Sequence, residues 1–200
     1  MRIRFDGWNL YVTVSVLVAA GAFVAPVAMH FSVESLSAAV RFTARTSAIL
    51  FILAFTASAL ARLYPSGPTL WQRVNRRFLG LAFATSHFIH AGFVIAYSLQ
   101  GPEQYAEALT PDMIVVGSIG YALIILMAAT SFQTTARWLG TKSWRLLHTV
   151  GVHWLWLQFL VAFGKRASTG QAIYWLFIGL LLAAMGARLV AGRLKPVASP

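Results

Sequence analysis

Residues 78–99 read FLGLAFATSHFIHAGFVIAYSL, twenty-two residues with no Asp, Glu, Lys or Arg. A helix rises about 1.5 Å per residue, so about 20 apolar residues cross the ~30 Å hydrocarbon core of a bilayer. This run is long and apolar enough to do so, yet it holds two histidines, His87 and His90. Five other stretches have the same character, and the expected spans are 10–29, 46–63, 78–99, 113–132, 146–163 and 172–190. Breakers separate them: Pro65, Gly67 and Pro68; Gly101, Pro102 and Pro111; Gly140; Gly164 and Gly170.

Composition agrees with the spans. Of 200 residues, 58% are hydrophobic and 10% charged, and the mean hydropathy is +0.70. Soluble domains carry about 25% charged residues. So little charge cannot clothe a water-facing surface, which excludes soluble, disordered and collagen-like classes. The strict alternation of barrel strands is absent. The expected fold is all-α, a polytopic membrane protein in which residues 1–200 form one six-transmembrane-helix bundle. The connections are too short for a soluble catalytic domain. The first span follows Arg2 and Arg4 as a signal peptide would. Its apolar run exceeds an h-region of 7–15 residues and no small-x-small cleavage site follows, so a retained anchor is expected.

The net charge is +11, from 16 Lys+Arg against 5 Asp+Glu. With six spans, the N-terminus, second and fourth loops and C-terminal tail share one side. That side carries twelve basic residues, Arg2, Arg4, Arg62, Arg73, Arg76, Arg77, Arg137, Lys142, Arg145, Arg188, Arg193 and Lys195. The other side carries four, Arg41, Arg45, Lys165 and Arg166, while the third loop holds Glu103, Glu107 and Asp112. Cytoplasmic loops are the basic ones. The expectation is a multi-pass protein of a bacterial inner membrane with both termini cytoplasmic. Orientation accounts for the basic excess, and no nucleic-acid partner is expected.

Histidine is the chemistry on offer. There is no cysteine, which removes disulfides, thiolate zinc sites and iron–sulfur clusters together. Ionisable groups within a bilayer are costly and mark functional sites by default. His87 and His90 lie in the third span and His148 and His153 in the fifth, while His30 sits at the end of the first. Bis-imidazole ligation of haem needs one histidine on each side of an apolar slot between helices. Zinc would want more ligands, and a proton relay would usually include a carboxylate. His87 and His90 are about 60° apart on one helical face, whereas His148 and His153 diverge by about 140°. Gly80, Ala84, His87 and Ala91 form a stripe, mostly of small residues, along one face, suited to close approach of a flat ring or another helix. Against this, a lone membrane histidine more often bonds a neighbouring helix. His30 reads as an interfacial residue, and the tryptophans Trp144, Trp154, Trp156 and Trp175 read as anchors and packing. Arg45, near a membrane edge, is a cation suited to a haem propionate.

Four short pieces occur in order: Thr43-Ala44-Arg45-Thr46; Arg76-Arg77-Phe78-Leu79-Gly80-Leu81 followed by His90; Thr130-Ser131-Phe132-Gln133 with Trp138-Leu139-Gly140; and Trp144-Arg145-Leu146-Leu147-His148, with an echo at His153-Trp154-Leu155-Trp156. In these the chain resembles the ferric reductase-like transmembrane domain superfamily, most nearly the MsrQ/YedZ haem-binding membrane subunits. The resemblance implies a b-type cytochrome with haem b, one or two, held by histidines of the third and fifth spans, His90 and His148 by position. It also implies a periplasmic reductase as one acceptor. The chain departs from that pattern where a second fifth-span histidine would stand, at Val161, and where the third-span partner of His148 would fall, near Arg76. Counted from the basic starts of their spans, His90 lies about 8 residues deeper than His148, roughly 12 Å. His87 and His153 are far better matched, and His90 with His153 is close. Position thus favours His90 and His148, while depth favours His153 and keeps His87 in the ligand pool.

The leading expectation is an electron-transfer subunit, not a complete enzyme. It has no flavin or nicotinamide site, so a quinol or a separate flavoprotein must supply electrons. The alternatives are a haem-free six-helix protein of the same ancestry with a transport or assembly role, and a histidine-based metal or proton carrier.

Overall fold

The computed structural model describes residues 5–108 and 110–194, apart from the side chains of Gln104, Glu107, Ala108 and Asp112. Arg2, Arg4, Lys195 and the side chains of Glu107 and Asp112, all used in the charge argument, lie outside the described residues. Those residues form nine helices and no strand: α1 (Gly7–Ala28), α2 (Val33–Leu63), α3 (Gly67–Val74), α4 (Arg76–Gln100), α5 (Pro102–Ala108), α6 (Pro111–Ala129), α7 (Gln133–Leu139), α8 (Thr141–Ser168) and α9 (Ile173–Arg193). α1, α2, α4, α8 and α9 are each long and apolar enough to cross a membrane. α6 followed by α7 makes the sixth candidate, bent by 109° at Thr130–Phe132. The 19 residues of α6 rise about 28 Å, close to the thickness of the hydrocarbon core, and the short α7 turns away from it, so the chain has five or six spans. The chain is an all-α, multi-pass membrane protein.

Several boundaries differ from the sequence expectation: α8 runs over Thr141–Ser168 where the sequence predicts 146–163, and two further differences have clear causes. The second span begins at Val33, not residue 46, because the segment is helical well before its hydropathy rises. Ser32 caps it by accepting the Ser35 N–H at 3.3 Å. Its first turns bury Leu36 and Ala39 against Ala22 of α1 and Phe93 of α4. Arg41 and Arg45 lower the hydropathy of this segment without interrupting that apolar face. The fourth span ends at Ala129, where Thr130 turns its hydroxyl back onto the Leu126 carbonyl at 2.7 Å. The connections at 67–74 and 133–139 are also helical, α3 opening with Gly67 and Pro68 at its first positions and a reciprocal Ser66–Thr69 cap. Between α1 and α2 the chain reverses through His30 (φ 48°) and Phe31 (φ 56°), two left-handed non-glycine residues. Such residues cost about 1–2 kcal/mol each. His30 is exposed and serves this turn.

α2 and α4 form the central pair, with α1, α6, α8 and α9 around them. A ladder of hydroxyls runs along the α2–α4 seam: Ser47 to Ser86 at 2.8 Å, Thr46 to Ser86 at 3.3 Å, and Thr43 to the His90 Nδ1 at 3.0 Å. In hydrocarbon these groups find partners only in protein. α4 and α8 do not pack backbone to backbone and meet through side chains. α6 and α8 approach closely at glycines: the Gln158 amide lies over Gly117 and Gly120, and the Met127 thioether lies over Gly151. A Cβ at Gly151 would sit 2.6 Å from the Met127 sulfur, and Met127 is itself buried. Gly151→Val should therefore destabilise the protein by about 1–3 kcal/mol through overpacking. Thermal unfolding in detergent checks this, and Met127→Ala in the same chain should restore most of the loss.

Both described ends of the chain lie at one end of the bundle. Phe5 accepts the Trp71 indole N–H at 2.9 Å, and Leu194 accepts Arg62 at 2.6 Å. Arg76, Arg145 and Arg188 lie there too, around one cavity with Arg62. α4 and α8 both start from this basic end and so run in the same direction.

Candidate functional site

Counted along α4 from its first residue, His87 lies about 16 Å in and His90 about 21 Å. Along α8, His148 lies about 10 Å in and His153 about 18 Å. By this count His153 lies within about 2 Å of His87 and about 3 Å of His90 in depth.

The aromatic core explains what surrounds them. Phe51 and Phe55 of α2, Phe83 of α4 and Phe159 of α8 point into one buried cluster. Phe51 contacts Phe83 and Phe159 with ring centroids at 5.5 and 5.4 Å, and Phe83 lies 6.1 Å from Phe159. His87 borders this cluster from α4, 5.5 Å from Phe83 and 5.7 Å from Phe159. His153 borders it from α8, edge-on to Phe55 at 5.9 Å. These are the two histidines that share the cluster.

Their ring nitrogens differ. His87 is buried, and its Nδ1 has no hydrogen-bond partner. Its ring is sandwiched between His90 at 5.3 Å and Tyr121 of α6 at 4.9 Å, and the Tyr121 hydroxyl donates to the His87 carbonyl at 3.2 Å. His153 directs Nδ1 at the Thr149 carbonyl, 2.7 Å away. A carbonyl only accepts, so that nitrogen carries the proton and Nε2 carries the lone pair. This is the second-shell arrangement that metal-ligating histidines favour.

The other two histidines have threonine partners, and His90 also stacks on His87. His90 bonds Thr43 in the α2–α4 seam. His148 directs Nε2 at the Thr130 hydroxyl at 3.2 Å, stacks on Trp144 at 4.2 Å, and lines the arginine-rich cavity at the basic end. His148 and His153 diverge as their five-residue spacing requires. Arg45 lies over the Tyr174 ring at 5.1 Å and reaches its hydroxyl at 3.5 Å, while its buried Nε has no partner. The stripe on α4 does not form a close seam at Gly80, where a Cβ would meet nothing within 4 Å. Among the described residues, no group of three or more His, Asp or Glu comes together to hold a metal ion.

The donor set fits haem in kind. The match is one of donor type alone: an imidazole on each of two helices, one with an orphaned nitrogen and the other with Nδ1 on a backbone carbonyl. The space between them is filled by the rings of Phe51, Phe83 and Phe159. Tyr121 and the aromatic wall were not legible as site residues, because nothing in a sequence says which phenylalanine of a lipid-rich chain turns inward. Thr43 and Thr130 sat in quoted motifs without a role, and each proves to be a histidine partner.

No protein-family model, no curated protein and no solved structure matches the chain.

Proposed function

We propose that the chain is a b-type cytochrome subunit that carries electrons through the membrane, with His87 of α4 and His153 of α8 as the haem ligands. The reading rests chiefly on one observation. These two histidines, at matched depth on parallel helices, border the same water-free aromatic cluster, and His87 holds there a buried nitrogen that nothing in the protein satisfies. A buried polar atom without a partner costs about 1–3 kcal/mol, so the protein gains where a ligand takes it up. Haem supplies one-electron exchange between ferric and ferrous iron. The protein holds each imidazole in orientation. The Thr149 carbonyl sets the orientation of the His153 ring, and Tyr121 and His90 both pack against the His87 ring. The phenylalanines exclude water, which tunes the potential of a cofactor held among them. Arg45 is the cation available to a propionate.

On this reading electrons enter from a quinol or a separate flavoprotein and leave to an acceptor such as a periplasmic reductase. On the same reading the host is a bacterial inner membrane, with both termini cytoplasmic, the orientation that a basic end favours. The protein purified in mild detergent should show a Soret band and a dithionite-reducible b-type spectrum, with haem retained near one per chain by pyridine haemochrome. A colourless, haem-free preparation from cells supplied with haem precursor overturns the proposal.

One observation favours a second reading, a haem-free protein of transport or assembly role. The rings of Phe51, Phe83 and Phe159 already fill the space between the two histidines. The same spectrum separates the readings.

A further inference from the structure

At the basic end a cavity of about 330 Å³ opens between α2, α4, α8 and α9. Each of these helices contributes one arginine to its wall: Arg62, Arg76, Arg145 and Arg188. His148 and Ser58 line it as well, and no carboxylate is among its lining residues. We propose that this cavity is a binding site for a phosphate ester, and that it is independent of any haem.

Orientation in the membrane does not account for the arrangement. The positive-inside rule asks only that arginines be in the loops and helix ends on one side, where each is best solvated by pointing to water. Here four arginines from four helices line one cavity. Arg76 and Arg188 are half-buried, and Arg62 and Arg145 stand exposed at the rim. Like charges brought together and partly desolvated oppose folding. An anion that enters the cavity offsets both costs.

The inner two are also held in place. Arg76 donates to the Ser58 hydroxyl at 3.3 Å. Arg188 donates to the Phe55 carbonyl at 2.9 Å and lies over the Phe55 ring at 4.2 Å. A guanidinium has five N–H donors, so each keeps most of its fork for a ligand. Planar forks match phosphate oxygens in pairs, and a phosphate offers them to several arginines at once. Ala59, Val152 and Ala191 make an apolar part of the wall, which suits the carbon side of an ester. His148, with its ring nitrogen on Thr130 and its face on Trp144, presents a fixed ring edge at the same cavity.

The chemistry has two sources, the headgroup of an anionic phospholipid or a soluble phosphate compound. Both are tested by thermal unfolding of the full chain. Pyrophosphate is titrated in neutral detergent against chloride at matched ionic strength. In parallel, nanodiscs of phosphatidylcholine are compared with nanodiscs containing phosphatidylglycerol. A saturable rise of the unfolding temperature with pyrophosphate assigns a soluble ligand. A rise confined to phosphatidylglycerol assigns a lipid headgroup. Arg76→Gln and Arg188→Gln should each weaken the effective probe by roughly tenfold, the worth of one charge-assisted contact. The exposed rim variants Arg62→Gln and Arg145→Gln should each weaken it by a few fold, and they keep the test open if an inner variant fails to fold. No stabilisation beyond chloride and phosphatidylcholine, or stabilisation of equal strength in the rim variants, overturns the proposal.

Discussion

His87→Ala and His153→Ala should each lower the haem bound per purified chain by at least roughly tenfold, while His90→Ala, His148→Ala and His30→Ala retain most of it. The expectation follows from where each ring lies. His87 and His153 border the same aromatic cluster at matched depth, and both offer nitrogens that the protein leaves to a ligand. Haem held by two imidazoles would be held less tightly by one, so its content in the purified chain would fall. His90 lies in the α2–α4 seam with Nδ1 on Thr43, His148 lines the basic-end cavity with Nε2 on Thr130, and His30 sits in an exposed turn, so none of the three borders the Phe51–Phe55–Phe159 cluster. Pyridine haemochrome on equal amounts of detergent-purified protein measures the ratio. If His90→Ala and His148→Ala lose haem while His87→Ala and His153→Ala keep it, the pairing is wrong and the family-like positions carry the iron. If all four variants keep it, the α4–α8 site is wrong altogether.

Phe159→Ala should cost about 3–5 kcal/mol of stability, the range for removing a buried aromatic ring. Its ring is the hub of the interior, touching Phe51, Phe83, His87 and Phe163. In a membrane the loss is of packing contacts and not of burial from water, because lipid is as apolar as the core. Unfolding in detergent or a bilayer reports it. The same variant separates the two functional readings, since it empties part of the space between His87 and His153. A haem protein should keep or gain haem content in Phe159→Ala despite the lost stability. A haem-free protein shows the destabilisation alone. A variant as stable as the parent would mean that Phe159 is not the packing hub.

Legibility from sequence followed the reach of each interaction. The spans are local sums of hydropathy, so their number and rough limits could be read directly. The start of α2 could not, because Arg41 and Arg45 mask a helix whose apolar face is defined only by Ala22 and Phe93 on other helices. α3 and α7 were hidden in segments that looked like loops, since short interfacial helices draw on caps and bundle contacts and carry little hydropathy of their own. The threonine partners of His90 and His148 did not show, being 47 and 18 residues away along the chain.

Sequence alone determined that this is a multi-pass helical membrane protein with its basic residues concentrated towards one side and no thiol chemistry. Those properties belong to composition and to runs of about 20 residues, and no folded neighbour can change them. Only the tertiary structure decided which histidines share an environment and that four arginines from four helices surround one cavity. It also decided that α6 and α8 meet at glycines. These depend on how each helix is rotated about its axis. In a chain where almost every face is apolar, hydrophobic patterning cannot set that rotation. It is set by the few buried hydroxyls, glycines and aromatic rings that find one another across helices.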